Sequence, residues 1–512
     1  MSTTEEFDYV VVGGGSAGCV VAARLSEDPT VTVLLLESGP NDHGVTAIDE
    51  PSGWAGLLSG DYDWGFTYAP NPHLDNRAVH IPRGRVLGGS SSINAMLWYR
   101  GHPSDYDAWD DAGAKGWNWE SMLPYFRRCE NWEGGPSPLR GGDGPLTVST
   151  PERPHPVAGA LLCAAAELGF PVLDDSNGPD IEGASLANLT IDQGRRMSSA
   201  RAYIDPTRGR ENLTVRTGAH VTALEFDGTR CVGVRTGGSV LRAAREVILS
   251  AGAISSPHLL LLAGIGEPEQ LRAHGIGVRS CVPGVGRNLQ DHPLLMGVNF
   301  AAHEPLGPVR DNGGGAIFNW RSSPEMQLPD LHAFVVQGQH ATPEVARHYQ
   351  LSSADNVFAV SPGLMRAHSV GELTLQSADP AIAPLIDPRY LSDPRDLAAM
   401  IAGLDMIMDL AGTAAYRQLI ERPVAPDGRL DAADAAAFVR MSCSTFFHTS
   451  GTCAMGTGTD SVVDSELRVY GIEGLRVIDA SVFPTLPSCN TNAPVIALAE
   501  RAADLIRGRN IG

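Results

Sequence analysis

The sequence predicts an α/β protein with two structural units, one of which is a dinucleotide-binding domain built on a parallel sheet. Two short apolar segments, residues 9–12 and 31–36, lack the alternation of a half-exposed strand, so they predict strands buried on both faces. A glycine-rich hexad and a helical segment, residues 19–25, lie between them. A length of 512 residues exceeds what one simple core supports, which favours two units.

The hexad Gly13-Gly14-Gly15-Ser16-Ala17-Gly18 fits the pattern G-x-G-x-x-G. In such a loop Gly13 permits the tight turn, Gly15 lets the backbone approach a pyrophosphate, and Gly18 lets the helix pack against the strand. The helix that follows presents free N–H groups and the positive end of its dipole to an anion. The hexad therefore predicts a pyrophosphate site.

Glu37 ends the second predicted strand, 19 residues after Gly18. This is close to the spacing at which an acid binds a ribose hydroxyl in dinucleotide sites. A glycine hexad alone also occurs in ordinary turns, but strand, hexad, helix, strand and acid together favour a dinucleotide. These residues do not distinguish NAD from FAD as the bound dinucleotide.

Composition limits the classes of function. The 43% hydrophobic and 19% charged residues are typical of a globular protein, and the net charge of −21 argues against a nucleic-acid partner. The eight cysteines show no C-x-x-C spacing and no histidine cluster, so neither a disulfide framework nor a metal site is expected. Without a leader-like start or a long apolar run, we expect a cytoplasmic protein that does not span a membrane.

The first half of the chain continues with loops and helices. Residues 38–77 are rich in Gly, Pro, Asp and Trp and predict a long irregular stretch that wraps a ligand. Residues 82–101 form a glycine- and serine-rich loop whose N–H groups suit a flat heterocycle, with a helix or an extended turn over 93–99. Helical spacing follows at 105–132, a strong break at 133–144 and a helix at 158–168.

In the second half, short apolar runs predict a small meander of strands at 213–216, 219–226 and 232–234. Residues 246–253 predict a buried strand that returns to the parallel sheet. Further strands are expected at 331–336 and 371–375, and further helices at 396–410, 431–438 and 495–506.

Two C-terminal segments contain residues suited to chemistry. His448 begins the pattern H-x-x-G-T-x-x-M-G, and Asn490 begins the run Asn490-Thr491-Asn492-Ala493-Pro494. A histidine side chain suits proton transfer near neutral pH. Taken alone, one of 15 histidines is more often structural, and an asparagine in such a run is more often a turn residue.

Together these segments resemble the glucose–methanol–choline (GMC) oxidoreductase family, and the resemblance extends over nearly the whole chain. Four more stretches match in the family's order: the N-terminal hexad with Glu37, residues 84–96, residues 252–266 and residues 282–293. The third has Ala263 where serine is usual. Several long motifs in the right order make the resemblance specific.

The resemblance implies a Rossmann-like FAD-binding domain at 1–155, 192–300 and 460–512. It also implies an α+β substrate domain with an antiparallel sheet at 156–191 and 301–459. It further implies oxidation of an alcohol, which we expect to be a primary one, to an aldehyde by hydride transfer to flavin N5. His448 is expected to act as general base, and Asn490 to orient the substrate oxygen. The implied FAD-binding residues are Gly13, Gly15, Ser16, Ala17, Gly18, Glu37, Arg85, Gly88, Asn94, Ala95, Met96, Leu97, Val221, Asp479, Ala480 and Asn492.

Two departures from the family pattern affect these expectations. Ile93 occupies the position of a histidine that some choline-oxidising members link covalently to the flavin, so we expect non-covalent FAD. Thr449 and Ser450 replace a commoner Pro-Val pair after the catalytic histidine, so the family pattern does not predict the backbone conformation or the pocket shape at this point.

The sequence limits the substrate less closely. Five aromatic residues have two interpretations. They could line an apolar pocket for a benzylic, furanic or other planar alcohol, or they could be ordinary core: Trp98, Tyr99, Phe334, Phe446 and Phe447. Choline is not favoured, because a quaternary ammonium needs an aromatic cage or an acid and the sequence places neither. The electron acceptor is oxygen or another compound, and the protein is a monomer or a homodimer.

Three other functions are compatible with parts of the sequence. A hydroxynitrile lyase of the same fold would hold FAD without net oxidation. A light-driven decarboxylase of the family has no need of a base, so the presence of both His448 and Asn490 argues against it. A nicotinamide dehydrogenase would leave the loop at Gly88 and the C-terminal segments without a role.

Overall fold

The computed structural model describes residues 5–352 and 354–509. Residues 1–4 and 510–512, which the predicted FAD-binding domain includes, and residue 353 lie outside the described residues. Two large sheets dominate the fold, one mostly parallel and one antiparallel, and a long cavity lies beside both.

The strands of the N-terminal half, in chain order, are β1 Glu5–Val12, β2 Val33–Leu36, β3 Phe66–Asn71, β4 Arg77–Ile81, β5 Glu130–Trp132, β6 Leu146–Val148, β7 Gly183–Leu186, β8 Ile191–Asp192, β9 Arg195–Arg196, β10 Leu213–Arg216, β11 Val221–Asp227, β12 Arg230–Thr236 and β13 Ser239–Leu249. Those of the C-terminal half are β14 Ile265–Gly266, β15 Ser280–Cys281, β16 Pro293–Leu295, β17 Asn299–Ala302, β18 Ala316–Trp320, β19 Leu331–Val336, β20 Val357–Leu364, β21 Glu372–Thr374, β22 Leu385–Asp387, β23 Ile420–Ala425, β24 Cys443–Thr445 and β25 Leu475–Val477.

The helices are α1 Ser16–Leu25, α2 Thr46–Asp49, α3 Pro103–Asp111, α4 Trp119–Cys129, α5 Pro156–Glu167, α6 Gly252–Leu262, α7 Pro268–Ala273, α8 Pro343–His348, α9 Pro394–Ala411, α10 Ala414–Arg417, α11 Ala432–Ser442 and α12 Asn492–Ile506. Short helical turns add Pro51–Leu57, Pro72–Leu74, Gly89–Ser92, Ala200–Ile204, Asp205–Thr207 and Ala480–Val482.

The first sheet has the strand order β10-β2-β1-β13-β12-β11, with β25 also paired to β13. The strands β10, β2, β1, β13 and β25 are parallel, whereas β12 is antiparallel to β13 and β11 is antiparallel to β12. The apolar segments of β1 and β2 are buried on both faces, as the sequence predicts. Helices α1 and α12 pack together beside this sheet. The predicted α/β fold is confirmed.

The second sheet is antiparallel and has the order β23-β17-β20-β19-β18-β7, with β16 joining β20 to β24. It is the antiparallel sheet expected in a substrate domain. Its strand β16 and the start of β17 precede the predicted boundary at residue 301, so they come from the segment predicted for the FAD-binding domain. The pairing of β16 with β24 matters for the site, because it brings residue 293 opposite residue 445.

Several local predictions differ from the structure. The stretch 38–77 contains α2, β3 and two helical turns, because Trp54 and other apolar side chains pack inward. The helical spacing at 105–132 belongs to two helices, separated by a turn in which Gly113 and Gly116 adopt positive φ. The run 213–216 is β10, a parallel partner of β2, and not part of a meander.

Among the described residues, no helix is long and apolar enough to cross a membrane. All eight cysteines lie in the described ranges and none forms a disulfide. The same part of the chain contains no cluster of side chains able to hold a metal ion.

Candidate active site

A cavity of about 440 Å³ runs from the glycine loop after β1 to the segment after β24. Its first end is lined by the loop at Gly13 and by Glu37, and its far end by His448 and Asn490. Segments more than 400 positions apart in the sequence therefore meet in one cavity.

Most of the predicted cofactor residues line this cavity. They are Gly13, Gly15, Ser16, Ala17, Glu37, Asn94, Ala95, Met96, Leu97, Val221, Asp479, Ala480 and Asn492. Helix α1 begins after Gly15 without a side-chain cap, so the N–H groups of its first turn stay available to an anion. The Ser16 hydroxyl donates to Asn492 Oδ1 at 2.9 Å and so ties this helix start to the start of α12.

Glu37 is buried at the end of β2. Its Oε2 accepts the Gly14 N–H at 2.9 Å and its Oε1 accepts the Gly39 N–H at 2.7 Å. Burial raises the pKa of this carboxyl to about 7, although the two backbone donors oppose the shift. Each carboxylate oxygen keeps a second lone pair, which suits a ribose hydroxyl.

Gly18, Arg85 and Gly88 do not line the cavity. A Cβ on Gly18 would lie 1.9 Å from the Gly13 oxygen, so this glycine serves the close packing of α1 on the loop. Gly88 adopts φ +88° and donates its N–H to the Gly14 oxygen at 2.7 Å, which fixes one glycine loop on the other. The exposed Arg85 guanidinium lies over the ring of Trp64, 5.1 Å from its centroid. These three residues lie outside the cavity lining, and their contact with FAD stays a prediction.

The loop after β4 forms one wall of the cavity. It is irregular over residues 93–99 and contains no helix there, and Met96 has φ +61°. Asn94 Oδ1 accepts hydrogen bonds from the Met96 N–H at 3.0 Å and from the buried Arg196 guanidinium at 2.8 Å, which fix this conformation. Ile93 contributes a hydrocarbon side chain to the lining.

The far end of the cavity brings together the two predicted catalytic residues. His448 Nε2 lies 3.2 Å from Asn490 Nδ2, which can only donate, so Nε2 is an acceptor. His448 is 6% exposed. Burial holds its pKa well below the ordinary value, and the neighbouring His292, Arg83 and His332 add to the shift. The imidazole is therefore neutral at neutral pH and able to accept a proton.

His292 determines which nitrogen of His448 is free. The two Nδ1 atoms lie 2.9 Å apart. Since His448 Nε2 is an acceptor, its proton is on Nδ1 and is donated to His292 Nδ1. Burial lowers the pKa of His292 to about 3, so it too is neutral and can accept. Sequence reasoning assigned His292 no role, although it lies in the family-like stretch 282–293.

Asp291 holds the histidine segment in place and was also missed. Its Oδ1 accepts the backbone N–H groups of His292 at 2.9 Å and of His448 at 2.7 Å. Its Oδ2 accepts three hydroxyl groups at 2.5 to 2.7 Å, those of Tyr68, Tyr390 and Thr445. A buried carboxylate with so many donors is satisfied as an anion and fixes the backbone around it.

The residues that flank His448 are also fixed by hydrogen bonds. Phe447 has φ +66°, an unfavourable conformation for an aromatic residue. Arg83 donates to the Phe447 carbonyl at 2.7 Å and to the Thr449 hydroxyl at 2.6 Å. Thr449 also bonds to Tyr68 Oη at 2.8 Å. The threonine that replaces the commoner proline is thus part of the network that orients His448.

The aromatic residues considered from sequence separate into three groups. Phe334, Phe446 and Phe447 line the cavity, and Phe446 stacks on His448 with 4.8 Å between the ring centroids. Tyr99 lines a second, smaller cavity. Trp98 is core, with its Nε1 donating to Glu130.

The residues present fit FAD. The uncapped start of α1 suits the pyrophosphate, Glu37 suits a ribose, and the apolar wall at Met96 and Leu97 suits a flat ring system. One end of the cavity thus accommodates a dinucleotide, while the other presents a neutral proton acceptor. This combination defines an oxidoreductase that couples a bound dinucleotide to proton removal from a small substrate.

Family comparison makes the assignment specific. Residues 7–294 and 367–499 match family models described as GMC oxidoreductase. The chain belongs to the GMC oxidoreductases, its cofactor is FAD and its substrates are alcohols, as the sequence motifs predicted.

Individual relatives extend over nearly the whole chain. The mitochondrial choline dehydrogenase of Mus musculus is 39% identical, with 98% of this chain and 90% of the relative covered. An oxygen-dependent choline dehydrogenase of Chromohalobacter salexigens is 38% identical over 99% of this chain and 96% of its own. The crystal structure of pyridoxine 4-oxidase from Mesorbium loti superposes with a TM-score of 0.93 at 33% identity, covering 98% of this chain and 99% of that one.

Proposed function

We propose that the protein oxidises a neutral primary alcohol with a planar apolar body to the aldehyde, with His448 as general base and Asn490 orienting the substrate oxygen. The observation that supports this most is the pair of nitrogens at the far end of the cavity, an acceptor on His448 and a donor on Asn490, 3.2 Å apart. FAD, when bound, supplies the acceptor for the hydride at its N5 atom.

The two side chains suit a hydroxyl group placed between them. An oxygen atom about 2.8 Å from both nitrogens would accept from Asn490 Nδ2 and donate to His448 Nε2. As the proton moves to Nε2, Asn490 continues to stabilise the negative charge that develops on the oxygen. Loss of this proton makes the carbinol carbon a better hydride donor.

The surroundings of His448 keep it neutral and orient it for this proton transfer. Its imidazole is neutral before the reaction, since burial lowers its pKa. Its Nδ1–H is held by His292, so the proton-accepting lone pair points toward Asn490. When Nε2 takes the proton the ring becomes cationic, a charge that burial and the nearby Arg83 disfavour in the protein alone.

A neutral substrate is supported by the charges along the cavity. In the part of the chain that the structure describes, the carboxylates that line it are Glu37 and Asp479. Glu37 belongs to the cofactor end. Asp479 is occupied by the Gly252 N–H at 2.9 Å and the Ser256 hydroxyl at 2.6 Å. The lining of the cavity also includes the apolar Leu294, Phe334 and Phe446, and Phe446 stacks on His448.

This differs from what the names of the curated relatives suggest. The relatives include choline dehydrogenases, but a quaternary ammonium is best held by an aromatic cage with a nearby acid. Aromatic rings are present here, but among the described residues no carboxylate other than Glu37 and Asp479 lines the cavity. We therefore favour a benzylic or similarly planar alcohol over choline.

An anaerobic alcohol panel tests the proposal. The holoenzyme is mixed without oxygen with benzyl alcohol, furfuryl alcohol, choline and a cyanohydrin, and flavin absorbance is followed. We expect the planar alcohols to bleach the flavin and choline to do so at least about 10-fold more slowly. Faster bleaching by choline would contradict the neutral-substrate proposal. Cyanohydrin cleavage without bleaching by any alcohol would favour the lyase.

The same samples identify the electron acceptor. Air is admitted after bleaching, and the return of flavin absorbance is timed. Rapid return indicates an oxidase. Slow return that is accelerated by a quinone or another added acceptor indicates a dehydrogenase.

A further inference from the structure

A second, smaller cavity of about 20 Å³ adjoins the catalytic residues. Asn490 lines both cavities. His332 and Tyr99 line the smaller one, and the His332 ring also contacts Phe446, which lines the larger one. The volume is sufficient for one oxygen-sized group. The smaller cavity is therefore a side chamber next to the position of the reacting alcohol.

The chamber contains polar atoms that the protein leaves unpaired. His332 Nε2, Tyr99 Oη and Ser176 Oγ are buried and have no hydrogen-bond partner among the described residues. His332 is 5% exposed. A buried polar atom without a partner costs free energy, so a group that pairs with it gains affinity.

The tautomer of His332 follows from its neighbours. Asn319 Nδ2 donates to the Ile181 carbonyl at 3.0 Å, which fixes the orientation of the amide. Asn319 Oδ1 therefore accepts, and it lies 2.7 Å from His332 Nδ1. The proton of His332 is thus on Nδ1, and Nε2 has a free lone pair. Burial lowers the pKa of His332 to about 3, so this nitrogen stays unprotonated at neutral pH.

Tyr99 supplies the complementary group. Burial raises the pKa of its phenol, so it keeps its proton, and the Ser176 hydroxyl lies close to it. The Tyr99 and His332 rings meet edge to face with 5.8 Å between centroids. The lining of the chamber thus includes an acceptor on His332 and a hydroxyl donor on Tyr99.

We propose that this chamber is a substrate subsite for a hydroxyl substituent, which donates to His332 Nε2 and accepts from Tyr99 Oη. The proposal rests on the proposed alcohol oxidation and adds a substrate class, hydroxylated planar alcohols. A methyl group of similar size cannot satisfy His332, and a carboxylate cannot donate to it. Such a site discriminates strongly against an analogue that lacks the hydroxyl.

The test compares matched substrates. The 2-, 3- and 4-hydroxybenzyl alcohols are measured against the corresponding methylbenzyl alcohols, which have nearly the same size. For at least one position we expect kcat/KM to favour the hydroxyl by about 10-fold or more. We expect His332→Leu to reduce this ratio to near 1, and His332→Gln, which retains an acceptor, to keep part of it.

Two further variants separate recognition from folding. Tyr99→Phe removes only the hydroxyl and should lower the same ratio. His340→Leu is the matched control, because His340 is another imidazole near Phe334 that lines neither cavity, and its ratio should equal that of the wild type.

A binding measurement distinguishes failure of this proposal from failure of the proposed function. Phenols and matched toluenes contain no oxidisable carbinol, and their binding is followed by perturbation of the flavin spectrum. If no alcohol reduces the flavin but 3-methylphenol binds to the wild type and not to His332→Leu, the proposed oxidation is refuted and the subsite is retained. A wild-type ratio near 1 at every position, or a ratio that His332→Leu leaves unchanged, overturns the subsite and indicates that the chamber holds only water.

Discussion

Replacing His292 by leucine removes the hydrogen-bond partner of His448 Nδ1 and leaves an apolar side chain in a buried position. In the wild type the Nδ1 atoms lie 2.9 Å apart, and the proton on His448 Nδ1 is paired. In His292→Leu that proton has no acceptor as long as it stays on Nδ1. The tautomer with the proton on Nε2 avoids this cost but cannot accept a proton from the substrate.

The expected loss follows from the cost of the unpaired group. A buried unpaired donor costs about 1–3 kcal/mol, and each 1.36 kcal/mol corresponds to about tenfold in population, so the competent tautomer falls by roughly 5- to 150-fold. The rate of flavin reduction at saturating alcohol should fall by the same factor. His292→Gln retains a carbonyl that can accept from Nδ1, so it should lose much less.

The assay is anaerobic stopped-flow reduction of the flavin, with flavin content and melting temperature measured for each variant. His340→Leu controls for the loss of an imidazole elsewhere in the substrate domain. Equal rates in wild type and His292→Leu, with both proteins fully loaded with flavin, would refute the tautomer argument. Equal losses in the leucine and glutamine variants would assign His292 a merely structural role.

Three further predictions concern the cofactor and the fold. Because Ile93 cannot form a bond to the flavin, acid precipitation should release all of the flavin into the supernatant; flavin retained in the pellet would show a covalent link. Gly18→Ala should abolish folding or FAD binding, since its Cβ would lie 1.9 Å from the Gly13 oxygen, whereas a Cβ on Gly15 meets nothing closer than 3.8 Å. Gly15→Ala should therefore fold and weaken FAD binding alone, as titration of the apoprotein would reveal. The free energy of unfolding should fall below about pH 6.5, because the unfolded chain protonates histidines that the folded protein keeps neutral, at roughly 1 kcal/mol per histidine per pH unit. This stability is present above pH 6.5 and is lost as the pH falls toward the folded-state pKa values; urea titrations from pH 7 to pH 5 that give a constant free energy would contradict it for His292, His332 and His448.

The cofactor end of the site was predictable because its signals are local. The buried strand, the glycine hexad and Glu37 lie within about forty consecutive residues, and each has a fixed place in a dinucleotide-binding unit. The residues at the far end were predicted through the family motifs. His448 and Asn490 are 42 positions apart, and no periodicity in the sequence relates them.

The partners of His448 were not predictable, because they depend on the pairing of distant strands. The pairing of β16 with β24 brings His292 beside Phe446, whose N–H donates to the His292 carbonyl at 2.9 Å. The two histidines are 156 residues apart in the sequence. The same limit applies to β10, which its composition cannot distinguish from a strand of a meander and which the sheet places beside β2.

The side chamber illustrates a further limit. His332 is one of several alternating residues in an apolar strand, and its sequence context predicts only burial. Only the structure shows that Nε2 of His332 has a free lone pair, because Asn319, 13 residues away on the neighbouring strand, accepts the hydrogen bond from Nδ1. Function at this position depends on a hydrogen bond between strands.

The most direct test of the central claim is the rate of flavin reduction by a planar primary alcohol in wild type and in His448→Ala, both anaerobic and both fully loaded with FAD. Loss of the general base should slow reduction by about 10²- to 10⁴-fold while flavin content stays unchanged. An unchanged rate in His448→Ala would contradict the claim and exclude His448 as the base.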